Sequence, residues 1–251
     1  MSAPRGMDWD WATATGGALS ARQRRQLLSP LLRTVVAYPV ERLRLATGRR
    51  GAGAVDLDTL RWPDSALARA AEDEARDVLS PHVLQHSYRT YLFALALAAV
   101  DGVAVDEELG YVSCLLHDLH LEHPTPGRCF AVVGGERAAA FATAHGADAA
   151  QARHVGAAVG GHITMGANDD LRDPAGFVSA GAILDVAGVR MADTDPEWID
   201  AVLARHPRLG FRRHLMAAWK AEAAAVPAGR ARWLNRYAGF PLLIRLAPFD
   251  E

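Results

Sequence analysis

Lysine is nearly missing from this 251-residue chain. Lys220 is the only lysine, although Lys and Arg together number 27. A GxxxxGK[ST] phosphate-binding loop needs a lysine directly after a glycine, and Lys220 follows Trp219 instead. The sequence therefore excludes that class of nucleotide-binding site, and it offers only one weak candidate for Schiff-base chemistry.

Cysteine is also scarce. The chain has two cysteines, Cys114 and Cys129, and they form no CxxC pair. Two thiols in a chain of this length argue against a disulfide scaffold and against a zinc site built from cysteines. Cys114 lies in an apolar run, so we expect it to be a core residue.

Long apolar runs and an excess of positive charge are absent as well. The longest apolar stretch, residues 91–100, is about half of what spans a bilayer, and the first 17 residues do not have the apolar segment of a signal peptide. The formal net charge is −2, so no global basic field attracts nucleic acid or anionic lipid. We therefore expect a cytoplasmic protein that binds a small-molecule substrate and neither nucleic acid nor membrane. The sequence leaves a homo-oligomer open.

Apolar residues recur at helical spacing along most of the chain, without strand-like alternation and without an internal repeat. This pattern predicts an all-α fold, a compact multi-helix bundle. We expect a loose arm over residues 1–17 and a single helical domain over residues 18–251. Proline is expected to interrupt the first helical segment at Pro30 and Pro39, and Gly134 is expected to begin a later helix.

Two histidines and two aspartates stand beside strongly apolar sequence: His86, the adjacent pair His117 and Asp118, and Asp185. A buried charge must be paired or bound to a metal, because an unpaired one is expensive to bury. Nitrogen and oxygen ligands aimed at one point, with one open position, are what a catalytic metal needs. Taken singly, His86 also fits a hydrogen-bonded histidine at a helix start, and Asp185 fits a helix cap or a partner of Arg190.

The order of these four residues resembles the HD-domain superfamily of metal-dependent hydrolases. His117 and Asp118 follow His86 by 31 and 32 residues, and Asp185 follows Asp118 by 67. Several short sequence segments resemble the cyanamide hydratase-like branch of that superfamily, and the resemblance extends over residues 56–225. They are WPDSALA (62–68), QHSYRTYLFALALAA (85–99), YVSCLLHDLHLE (111–122), GRCFAVVGGERAA (127–139), GGHITMG (160–166), AGAILDVAGVR (180–190) and ARHPRLGFRRHL (204–215).

The resemblance implies a helical HD-type domain that holds one divalent metal ion on His86, His117, Asp118 and Asp185. It favours zinc, whereas ligand chemistry alone also admits iron and manganese. It further implies that metal-bound hydroxide attacks the carbon of a nitrile, as in the hydration of cyanamide to urea.

The same resemblance gives candidates for the catalytic side chains. His162 is the first candidate for moving protons, since the family pattern also has a histidine there and imidazole titrates near neutrality. Thr164 is a candidate for orienting substrate. The sequence departs from the branch at Gln85, where asparagine is usual, and at His120, which stands in a glycine position. We expect His120 to narrow the pocket, shuttle a proton or add a ligand.

Two other functions compete with hydration. An HD-type phosphohydrolase acting on a nucleotide-like substrate needs cations for phosphate oxygens, and Arg89, one turn after His86, is a candidate clamp, as are Arg128 and Arg190. As a single role, pairing with a carboxylate fits Arg89 better. The third hypothesis is a non-catalytic helical binding module. The loss of a ligand would favour that module, but all four ligand positions are filled.

Overall fold

The computed structural model describes residues 6–251, and helices make up most of them. The helices are α1 (Trp9–Thr15), α2 (Ala21–Gln26), α3 (Leu28–Ala46), α4 (Ala66–Val78), α5 (Pro81–Asp101), α6 (Glu107–Leu116), α7 (Phe130–Ala144), α8 (Ala149–Gly161), α9 (Pro174–Ala187), α10 (Pro196–Arg205), α11 (Phe211–Ala225), α12 (Arg230–Trp233) and α13 (Phe240–Arg245). Within residues 6–251 only isolated β-bridges occur and no strand forms. The prediction of an all-α fold is confirmed.

The helix α5 forms the centre of the bundle. Pro81 begins it, where the fixed φ of proline suits a first helical residue, and Gly102 ends it in the left-handed conformation (φ 63°). Nearly every side chain from His86 to Ala98 is buried, which is why this helix is apolar on all sides. No helix within the described residues has both the length and the apolar character needed to cross a membrane.

The helix α9 packs closely against α5. A Cβ atom on Gly181 would lie 2.0 Å from the carbonyl oxygen of Thr90, so only glycine permits this approach. Asp185 follows one turn after Gly181, and this contact therefore brings its carboxylate to the turn of α5 that carries His86 and Arg89.

The expected loose arm is wrong for its described part. Over residues 9–17 the chain forms α1 and its end, and the indole of Trp9 lies in a groove on α8. Cβ atoms on Gly156 and Gly160 would come within 2.9 Å and 2.4 Å of that indole, so the missing side chains make the groove. The composition of the arm did not reveal this docking site, because the glycines lie far away in the sequence. Residues 1–5 of the predicted arm lie outside the described residues.

Two further helix boundaries differ from the sequence prediction. The helix α3 passes through both Pro30 and Pro39 without a break. Pro30 lies in its first turn, where the missing N–H has no helical partner in any case. The helix α7 begins at Phe130 rather than at Gly134, because the Glu222 carboxylate of α11 accepts the N–H of Phe130 at 3.1 Å and so caps the helix from outside.

The C-terminal segment consists of short helical elements. In the structure α12 runs into a π-helical turn, Leu234–Ala238, and α13 follows after Gly239. Together with α3, this segment supplies part of the wall of an internal cavity.

Candidate metal centre

The centre is assembled from α5 and from the end of α6. His86 lies in the second turn of α5, His117 is the C-cap of α6, and Asp118 follows in the turn. All three are at most 4% exposed. The helix end allows the adjacent His117 and Asp118 to bend toward the same point, as the sequence predicted.

Three potential ligand atoms converge. The Nε2 atoms of His86 and His117 lie 3.2 Å apart. Oδ2 of Asp118 lies 3.3 Å from Nε2 of His117 and 3.7 Å from Nε2 of His86. These three residues form a buried group able to hold a metal ion.

The opposite ring nitrogens fix which tautomer each histidine adopts. Nδ1 of His117 donates to the carbonyl oxygen of Cys114 at 2.7 Å, and Nδ1 of His86 donates to the Asp185 carboxylate at 2.6 Å. Burial also lowers the pKa of His117 to about 3, so this ring is neutral near pH 7. The two Nε2 atoms face each other beside the Asp118 carboxylate. A cation between them satisfies all three groups, so the donor set fits a metal ion.

Asp185 has a different place from the one predicted. Its Oδ2 faces Nδ1 of His86, the ring nitrogen that points away from the three ligand atoms. Arg89 binds both of its oxygens, each at 2.8 Å, and Nη1 of Arg208 binds Oδ1 at 2.6 Å. The prediction of Asp185 as a ligand is therefore not met by this geometry, because two guanidinium groups and one imidazole occupy the carboxylate.

The environment of Asp185 is strongly ionic and completely buried. Burial works to raise the pKa of this carboxyl, but Arg89 and Arg208 outweigh it and hold the pKa well below its usual range. Nη1 of Arg89 donates to the backbone carbonyl oxygens of His206 and Pro207, each at 3.0 Å. The guanidinium group of Arg89, a candidate phosphate clamp, is thus already hydrogen-bonded within the fold.

Sequence reasoning assigned no role to Arg208 or to Phe211, whose ring stacks on His86 at a centroid distance of 4.4 Å. Both lie in the segment ARHPRLGFRRHL, which is part of the resemblance, but the resemblance assigned no role to this segment. The contact from Arg208 to Asp185 spans 23 residues, and no local pattern predicts it. Arg208 holds the Asp185 carboxylate, and Phe211 stacks on the imidazole of His86. Both residues therefore help to position His86.

His162 joins the same centre. It is the C-cap of α8, is 5% exposed, and donates from Nδ1 to the carbonyl oxygen of Val159 at 2.7 Å. Its Nε2 lies 3.6 Å from Oδ1 of Asp118. The structure thus places His162, a predicted catalytic residue, beside the candidate metal ligands.

Thr164 is buried two residues further on and lines the same cavity. Its hydroxyl accepts a hydrogen bond from Arg230 at 2.8 Å, and the same guanidinium group also binds the carbonyl oxygen of Gly160. The hydroxyl proton of Thr164 remains free to be donated into the cavity. Nothing in the sequence around Arg230 pointed to this buried supporting role.

His120 does not join the centre. Its Nε2 contacts the hydroxyl of Thr125 at 3.0 Å, and His120 is not among the residues that line the cavity. Its predicted role in catalysis is therefore not supported. The physical reason is local, because the chain turns after Asp118 and directs the side chain of His120 into the loop that leads to α7.

The centre opens into a cavity of about 270 Å³. Helices α3, α9 and α11 and the C-terminal segment form most of its wall. Apolar side chains dominate that wall, among them Leu31, Val35, Ile183, Val186, Trp219 and Phe240. Among the described residues that line it, none is lysine or arginine. The geometry thus places a potential metal site and His162 at the wall of a partly open cavity.

A scan against models of known protein families finds no match for the chain, and a search of curated protein sequences finds none either. The chemistry of the site therefore has to be argued from its own residues.

Proposed function

We propose that the chain is a metal-dependent enzyme that adds water to an electrophilic carbon, most simply the carbon of a nitrile, as the resemblance to cyanamide hydratase implies. The observation that carries this proposal is the convergence of two Nε2 atoms, 3.2 Å apart, beside the Asp118 carboxylate. Such a group at the wall of a cavity can bind a cation that a substrate in the cavity can contact.

His86, His117 and Asp118 would hold the ion. A divalent ion there supplies Lewis acidity and brings the pKa of a bound water toward neutrality. The resemblance favours zinc, while two imidazoles and a carboxylate also suit iron and manganese. Asp185 fixes the tautomer and orientation of His86, as partners of metal-bound histidines generally do.

His162 is the proton carrier in this proposal. Its Nε2 faces the carboxylate of Asp118 at 3.6 Å, while Nδ1 donates to the backbone. His162 accepts a proton from the water that adds to the carbon and returns it to the nitrile nitrogen, which gives the imidic acid. Transfer of the hydroxyl proton of the imidic acid to the same nitrogen then gives the amide. The hydroxyl of Thr164, held by Arg230, orients the substrate.

A phosphohydrolase is the second candidate, and the cavity supports it less. Phosphate oxygens require cationic donors. No lysine or arginine lines the cavity in the described part of the chain, and Arg89 is bound to Asp185 and to two backbone carbonyls. A non-catalytic binding module ranks third, because an inert site gains nothing from a converging set of unprotonated imidazoles.

Metal analysis combined with activity tests this proposal. The purified protein should contain close to one equivalent of a divalent transition metal and convert a nitrile or cyanamide to the amide or to urea. Asp118→Asn should lose most of the metal and the activity, whereas His145→Gln, at an exposed histidine, should keep both. A variant at Asp118 that kept its full metal content and activity would refute the proposal. Release of phosphate from nucleotides without nitrile hydration would favour the second candidate.

A further inference from the structure

We propose that the substrate of this site is larger than cyanamide and combines an apolar body with a polar reacting end held at the metal centre, as in an aryl or alkyl nitrile. The inference rests on the proposed function for the identity of the reacting group. It rests on the cavity alone for the identity of the rest of the molecule.

The volume of the cavity exceeds what cyanamide needs. A cavity requires roughly 10–15 Å³ to hold one water, and about 270 Å³ is present here. Cyanamide has three non-hydrogen atoms and would leave most of this space unfilled. A molecule such as benzonitrile, with eight non-hydrogen atoms, occupies more of it.

The chemistry of the wall determines what fills the remaining space. Water inside a protein needs two to four polar partners, and an apolar wall does not provide them. The side chains of Val35, Ile183, Val186, Trp219 and Phe240 lie on this wall, and burying apolar ligand surface against them is favourable by about 25 cal/mol per Å². The wall therefore selects a carbon skeleton.

The ionisable side chains nearest one another lie at one end of the cavity, and Tyr38, Asn168 and Ser179 add neutral polar groups elsewhere on its wall. His86, His117, Asp118 and His162 are close neighbours, and they form the one ionisable cluster among the described lining residues. On the wall of α3, the hydroxyl of Thr34 already donates to the carbonyl oxygen of Pro30 at 3.2 Å. A ligand with a polar group at one end and an apolar body matches this distribution.

A comparison of benzonitrile with cyanamide tests the inference on the metal-loaded protein. We expect kcat/KM for benzonitrile to exceed that for cyanamide by about tenfold or more. Binding is measured independently of turnover, by calorimetry with benzamide, which is the product of benzonitrile hydration. Benzamide should bind at least about tenfold more tightly than urea.

Two phenylalanine variants give a matched pair. Ala238 and Ala218 are half-buried alanines that pack against the same hydrophobic cluster, but only Ala238 lines the cavity. Ala238→Phe should weaken benzamide binding about tenfold and shift the ratio of the two kcat/KM values toward cyanamide. Ala218→Phe should change neither. If Ala238→Phe fails to fold, Ile183→Phe fills the cavity from α9 instead.

The outcomes separate this inference from the proposed function. Hydration of cyanamide without binding of benzamide or turnover of benzonitrile overturns the inference and leaves the function standing. Binding of benzamide that Ala238→Phe weakens, without hydration of any nitrile, supports the ligand class and overturns the function. Equal effects of Ala238→Phe and Ala218→Phe on binding also overturn the inference.

Discussion

Replacing Asp185 by asparagine separates a positioning role for this carboxylate from a role as a metal ligand. The amide keeps the shape of the side chain and can still accept the hydrogen bond from Nδ1 of His86. It removes the negative charge that balances Arg89 and Arg208, and both of these guanidinium groups are at most 4% exposed. The structure therefore predicts a large loss of stability and little loss of metal.

The magnitude follows from the contacts that remain. Removing one partner of a buried ion pair costs about 3–5 kcal/mol. Arg89 keeps two backbone carbonyls and Arg208 keeps Glu251 at 3.1 Å, so we expect the lower end, about 3 kcal/mol. In a chain of this size that loss corresponds to a fall of about 6–12 °C in Tm.

Urea unfolding of metal-free protein, followed by circular dichroism, measures the loss directly. Metal content is then measured on folded Asp185→Asn protein that has been reloaded with zinc. Asp118→Asn is the matched control, because it removes a buried carboxylate that has no arginine partner. We expect the control to lose metal and to shift the urea midpoint much less than Asp185→Asn does.

The opposite pattern would refute this reasoning. If Asp185→Asn unfolded at the wild-type urea concentration and failed to bind zinc, Asp185 would be a metal ligand, as the sequence alone predicted. Its ion pairs with Arg89 and Arg208 would then contribute little to stability.

Three further predictions concern other parts of the molecule. Burial, assisted by Asp193, raises the pKa of Glu41 to about 7 from an ordinary 4.5. The folded state therefore keeps a proton that the unfolded chain loses, and the free energy of unfolding falls as pH rises through this window. Glu41→Gln should remove that fall, measured as urea midpoints at pH 5 and pH 8. Gly160→Ala should displace the indole of Trp9 and destabilise the protein by about 1–3 kcal/mol, seen in the urea midpoint and in tryptophan fluorescence, and an unchanged midpoint would show that α1 docks otherwise. His120→Gly should leave zinc content and nitrile hydration within about twofold of wild type, and a loss of metal would restore His120 to the site.

Local chemistry in the sequence was enough to predict much of the fold. Helical periodicity predicted the all-α class that the structure has. Periodicity works because it acts within a few residues. The start of α7 was missed because its cap, Glu222, comes from another helix.

The site was predicted in part for the same reason. His117 and Asp118 are adjacent at a helix end, and the resemblance supplied His86 and His162, all of which the structure brings together. Asp185 was assigned to the metal from its order in the chain. Its contacts with two arginines decide otherwise, and one of those, Arg208, becomes a neighbour only after folding.

The sequence by itself therefore determined the helical class and the residues able to bind a metal, because periodicity and residue chemistry are local properties. The tertiary structure alone decided which nitrogen of each histidine keeps its lone pair and where Trp9 docks. It also decided which side chains form the wall of the cavity. These properties depend on contacts between distant segments, such as Asp185 with Arg208 and Trp9 with Gly160, and on a wall assembled from α3, α9, α11 and the C-terminal segment.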